Sequence, residues 1–261
     1  VNNDIFFNDK KEKNDFKILK KKIGIKSKII TINIRQNDFH AFDDNANMRN
    51  ADLSKTLKIL NEIKSDYLFV ITGSVGNQKI KRKFKNLFDY SNSKFKSKKN
   101  DFLLFNFCDA FIGGASGPAH YMLTRYKPCL FTDWFPLEYS LKSDLCIIMP
   151  KIIKKNKKIL SIDEIYKLGP RIHYDGIQRL LNLGYRYEDN SSEDLTKAIK
   201  KFVDNLNVKK WKNYGTKYMI SPKNFDFHGI KKELNYNFLK TRRAIYFEPL
   251  FVKKNKGFLI C

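Results

Sequence analysis

The stretch from Phe107 to His120 concentrates the residue types suited to holding an anion. Gly113, Gly114 and Gly117, with Ser116 among them, follow the short apolar run Ala110–Ile112. Two glycines let a backbone turn sharply without steric cost. Ser116 suits a helix N-cap, and Pro118 suits the first turn, where its missing N–H has no partner to lose. A strand, a small-residue turn and a helix start would bring N–H groups and the positive end of a helix dipole to one place. That is phosphate-binding chemistry. By itself the turn reads first as a plain strand-to-helix connection, because it is neither a G-x-G-x-x-G nor a Walker loop.

Other residues gain meaning only beside it. Arg35 closes a β-branched run and is expected to clamp a diphosphate bidentately, or else to pair with Asp38 at the surface. Arg49 precedes a helical pattern and carries the same two readings. Gly73, after Thr72, ends a second apolar run. Asp38 and His40 are weak candidates for acid–base work, with no partner at a suggestive spacing. His120 reads as a packed structural histidine. Glu164 opens a helix and could accept ribose hydroxyls; the plainer reading is the capping box Ser161-Ile162-Asp163-Glu164.

These residues need a scaffold. Ile29–Ile34, Tyr67–Ile71, Ala110–Ile112, Cys129–Phe131 and Leu145–Met149 read as buried parallel strands. Helical spacing runs over 52–63, 101–108 and 119–126, with Ser161 and Ser192 as caps of two more helices. Alternation of this kind predicts an α/β fold, a doubly wound parallel sheet of the Rossmann type. Such sheets bind ligands at the carboxyl ends of their strands. Arg35, Gly73 and the Gly113–Gly117 turn all fall there. Residues 1–26 read as a linker, a marginal helix or the remnant of a preceding domain. The core domain is expected over 27–208, and 209–261 as a loop-like extension packing back on it.

The chain has 261 residues and a net charge of +24, from 51 Lys+Arg against 27 Asp+Glu. That excess favours anionic partners, although lysine abundance throughout the chain explains part of it. Its four cysteines, Cys108, Cys129, Cys146 and Cys261, form no CxxC pair, and three lie in apolar runs. This spacing argues against a zinc site and suits buried thiols in a reducing, cytoplasmic compartment. No apolar stretch approaches the ~18 residues of a membrane span, and no signal peptide is visible.

Several blocks in order carry a resemblance. They are Arg49-Asn50-Ala51-Asp52, Phe88-Asp89-Tyr90-Ser91-Asn92-Ser93, Lys96-Ser97 with Asp101, and Phe111-Ile112-Gly113-Gly114-Ala115-Ser116-Gly117. Lys127-Pro128, Asp144-Leu145, Pro150-Lys151 and the tail Phe251–Ile260 follow. Together they resemble the glycosyltransferases of bacterial surface-polysaccharide loci, over roughly residues 27 to 261. The resemblance implies the C-terminal, nucleotide-sugar-binding half of a metal-independent GT-B enzyme, without a cofactor. Arg35, Arg49, Gly73, Gly113, Gly114, Ser116, Gly117 and Glu164 would line its donor site. A glycan or lipid-linked acceptor, peripheral contact with an anionic membrane face and a missing N-terminal domain are implied too. Where that family tends to carry an arginine two residues before the second-strand glycine, this chain has Ile71; Ser74 stands where an acid is usual. The rival expectation is a non-catalytic basic module that binds nucleic acid or an anionic polymer through its lysines. A cleft at the strand ends would favour the enzyme and a flat lysine stripe the binder.

Overall fold

The computed structural model describes residues 9–35, 49–74, 80, 84–135, 137, 143–168, 180–207, 214–220 and 243–259. Eight strands form one sheet: β1 (Lys28–Arg35), β2 (Tyr67–Ser74), β3 (Leu87–Asp89), β4 (Ala110–Gly113), β5 (Cys129–Trp134), β6 (Cys146–Pro150), β10 (Thr216–Ile220) and β11 (Arg243–Phe247). Their order is β10-β11-β6-β5-β4-β1-β2-β3, and every pairing is parallel except β10 with β11. Read from its β3 edge, the sheet runs 3-2-1-4-5-6, the Rossmann order whose direction reverses between β1 and β4. Three short antiparallel strands, β7 (Ile152–Lys155), β8 (Lys158–Ile159) and β9 (Tyr185–Glu188), make a second sheet.

Helices cover both faces of the main sheet. On one lie α1 (Asp9–Ile23), α3 (Lys98–Phe107) and α4 (Gly117–Thr124); on the other lie α2 (Leu53–Glu62), α6 (Ser192–Asn207) and α7 (Pro249–Lys254). A further helix, α5 (Ile162–Leu168), follows β8. The reason α6 packs is visible in its periodicity: Leu195, Ala198, Ile199, Phe202, Val203 and Leu206 are all buried. Each large apolar side chain so placed contributes about 1.5–3 kcal/mol. Central strands buried on both faces need no alternation, which is why β1 reads as a nearly continuous apolar run.

Of the readings open for the N-terminal segment, residues 9–23 take the helical one: Phe16 and Leu19 are buried, and Phe16 stacks on Phe107 with ring centroids 5.2 Å apart. Two expectations need correction. The segment beyond 209 is more than a loop-like extension, since β11 pairs directly with β6 and lengthens the sheet. The cap of α6 is Ser191, one residue before the expected Ser192. Its hydroxyl accepts from Asp194 N at 3.1 Å and donates to Asp194 Oδ2 at 2.6 Å. The thiols of Cys108, Cys129 and Cys146 are buried and free. Among the described residues no helix is long and apolar enough to cross a membrane.

Candidate functional site

Parallel pairing brings the carboxyl ends of β1, β2, β4 and β5 to one edge. There Asn33 of β1 stands in register with Thr72 on one side and Gly113 on the other. A cleft opens at this point, where the strand order reverses. Its interior is apolar, with Ile32, Ile34 and Ile112 from the sheet facing Ile59 of α2 and Ile199 of α6. The mouth is polar, formed by Arg49, Lys55, Gly113, Gly114, Asp133 and Asp189. A greasy floor with few charged groups at the rim is the usual composition of a small-molecule site.

The glycine turn behaves as the sequence suggests. Ser116 caps α4, its hydroxyl accepting from Ala119 N at 3.4 Å and donating to Gly114 O at 3.2 Å. Asn33 Nδ2 donates to the same hydroxyl at 3.2 Å, so β1 fixes the cap's orientation. Asn33 is only 6% exposed, yet its Oδ1 accepts no hydrogen bond from the described residues. A Cβ on Gly114 would sit 3.6 Å from both Arg49 O and Thr132 O, an ordinary contact. Glycine is therefore not forced there by the fold. His120, in the first turn of α4, lies edge-on to Trp134 at 6.0 Å. Desolvation, with a smaller contribution from the Arg49 charge, lowers its pKa below the ordinary imidazole value.

The expected site residues divide. Arg49, Gly113 and Gly114 line the cleft. Ser116 and Gly117 follow at the start of α4 but are not among the lining residues, and a Cβ on Gly117 would meet nothing within 4 Å. Arg35 lies at the same sheet edge, two residues beyond the Asn33–Gly113 pair, but not among the lining residues; its carbonyl accepts from Ala51 N at 2.8 Å. Gly73 has a structural reason for being glycine. Its φ is +91°, and a Cβ would fall 2.2 Å from Ile34 O. Glu164 is away from the cleft lining. It accepts from Ser161 N at 2.7 Å, closing the capping box, and pairs with Lys158 at 2.9 Å. Asp38 and His40 lie outside the described residues.

Sequence reasoning missed a charged group on the far wall. Asp133, in a bulge of β5, has a left-handed φ of 48°. Its Oδ1 accepts from Asn190 N at 2.6 Å and Asn190 Nδ2 at 2.7 Å, while Asn190 Nδ2 also donates to Pro150 O at 3.0 Å. Lys55 donates to Asn190 O, and Lys151, 6% exposed, pairs with Asp189. Burial pulls the Lys151 pKa down, and the charge of Asp133 works against that shift. The loop before α6 is thereby tied to β5, β6 and α2. No local pattern announces this, since 56 positions separate Asp133 from Asp189 and the strand continues three residues past the apolar run that marks it.

No protein-family model matches the chain. No curated protein matches it in sequence. Among solved structures, a His-to-Ala variant of the wall teichoic acid polymerase TagF is similar, with a TM-score of 0.35 and 17% identity over 52% of this chain. The similar part spans 33% of that polymerase's chain. Strand order is what assigns the architecture here. The chain is a doubly wound, Rossmann-like α/β domain with a polar-mouthed cleft where its strand order reverses.

Proposed function

We propose that this chain binds a nucleoside-diphosphate sugar, as the donor-binding domain of a GT-B-type glycosyltransferase in surface glycan synthesis. The observation that carries the reading is the convergence of the Gly113–Gly117 turn, Arg49 and an apolar-floored cleft at the carboxyl edge of a 3-2-1-4-5-6 sheet. The order of family-like blocks in the sequence supports the same reading. A cleft at the strand ends, rather than a flat lysine stripe, favours it over a basic polymer-binding module.

In this reading Arg49 and the backbone N–H groups of the turn hold the diphosphate. Charge builds on that group as the glycosidic bond breaks, and fixed donors act most strongly where charge develops. Arg35 is the second cation at the same edge. Arginine and a helix dipole take the part that a divalent cation plays elsewhere, so EDTA leaves binding and transfer unchanged. The acceptor is a glycan or a lipid-linked glycan, and the lysines of α1 favour contact with an anionic membrane face.

A thermal-shift screen of the purified chain against UDP-, GDP- and CDP-linked sugars tests the reading. At a ligand concentration of 100 times Kd, stabilisation reaches about 2.7 kcal/mol and a clear rise in melting temperature. A flat response to every nucleotide sugar, with tight salt-sensitive binding to single-stranded nucleic acid, would return the chain to the basic-module reading.

A further inference from the structure

We infer that Asp133 accepts a hydrogen bond from a hydroxyl on a sugar ring attached to the diphosphate at the glycine turn, which rests on the nucleotide-sugar reading above. Asp133 lines the cleft, and among the described residues only its Oδ1 is engaged. Both Asn190 donors go to Oδ1, at 2.6 and 2.7 Å, and no described residue donates to Oδ2. An ionised carboxylate offers about four acceptor positions, so the second oxygen has capacity to spare. The bulge between Phe131 and Trp134 and the left-handed backbone put this side chain at the cleft instead of into the strand's regular alternation.

Proximity to the turn sets the ligand's length. The Gly114 Cβ position is 3.6 Å from Thr132 O, so the residue before Asp133 borders the turn. A group one sugar ring away from the bound phosphate reaches it. Charge sets the ligand's chemistry. A bare carboxylate facing a second anion would be repelled, whereas a hydroxyl donates without adding charge. Lys55 and Lys151, linked to the same loop through Asn190 O and Asp189, balance Asp133 against the nearby diphosphate. Ribose and the transferred sugar both present such hydroxyls, one on each side of the diphosphate.

Asp133→Asn isolates the open oxygen. Asparagine keeps a carbonyl oxygen for both Asn190 donors and tolerates a left-handed backbone; it replaces the other oxygen with an NH2 donor. Calorimetry on the full chain compares pyrophosphate, UDP, GDP, UDP-N-acetylglucosamine and GDP-mannose. Pyrophosphate, which has no sugar hydroxyl, binds both proteins alike. The sugar nucleotide loses about tenfold to a hundredfold in affinity, the range for a hydrogen bond to a charged group. Retained binding of the parent nucleoside diphosphate assigns the hydroxyl to the transferred sugar, and an equal loss assigns it to ribose. On the wild-type chain, the matching deoxy ligand shows the same loss, a readout that requires no variant to fold. Unchanged affinity for every ligand, or an equal loss for pyrophosphate, overturns the role of Asp133 and leaves nucleotide binding standing. A wild-type chain that binds none of the five overturns both.

Discussion

Two glycine-bearing strand ends flank β1 at one edge of the sheet, and they use glycine for different reasons. At the end of β2, Gly73 is dictated by the fold: its φ is +91° and the Ile34 carbonyl occupies the space of a side chain. At the end of β4, Gly114 has ordinary room around it and lines the cleft. One glycine lets two strands approach; the other keeps a cavity mouth clear. Both read alike in sequence, as a small residue after an apolar run. The difference warns against taking every glycine at a Rossmann edge as a ligand contact.

Substituting the two glycines gives the widest separation. Gly73→Ala should cost about 2–6 kcal/mol, combining left-handed strain with overpacking. Gly114→Ala should stay within about 1 kcal/mol of wild type in urea unfolding while weakening nucleotide-sugar binding. Equal stability of the two variants would break the comparison. Arg49→Ala comes next: it should weaken nucleotide binding by about 1.5–3 kcal/mol without lowering the unfolding midpoint. A loss of stability with affinity intact would move Arg49 to the structural side.

Glu164→Ala sharpens the contrast from outside the cleft, removing about 1 kcal/mol of helix-cap stability and no nucleotide affinity. The carboxylate is held below its ordinary pKa by Lys158 and the Ser161 N–H. Its contribution is therefore complete above the ordinary value and fades as the pH falls. The smallest effect concerns His120. Its depressed pKa means that the unfolded chain takes up the proton first. Stability present above about pH 6.5 then declines as the pH falls towards the lower folded value. His120→Gln should flatten that slope in urea titrations between neutral and mildly acid pH; an unchanged slope would place the acid sensitivity elsewhere.

The central strands were legible because a strand buried on both faces writes itself as an apolar run, as Ile29–Ile34 does. Capping chemistry was legible for the same local reason, Ser161 and Glu164 being three residues apart. Adjacent Ser191 and Ser192 are equivalent in a pattern, so periodicity alone does not separate the cap from its neighbour. The short edge strand Leu87–Asp89 and the lysine-rich β7 and β8 gave no usable periodicity. Most of the cleft's charged wall was illegible for a different reason. Asp133, Lys151 and Asn190 meet through tertiary contacts, and a left-handed aspartate in a bulge leaves no trace in composition.

Cys129 and Cys146 sit opposite one another at the amino ends of β5 and β6, and all three described thiols are fully buried at that side of the core. Burial raises the pKa of Cys108 to about 11 and pushes that of Cys129 upward too, so both remain protonated at neutral pH. An alkylating reagent needs the thiolate and a path to it. Labelling of these sulfurs should therefore wait for the core around them to open, however mobile the surface is. With Cys261 replaced by serine, the rate of alkylation becomes a clock for rare opening of the molecule. Slowing of that clock by a nucleotide sugar would report binding at the strand ends from a place the ligand never touches.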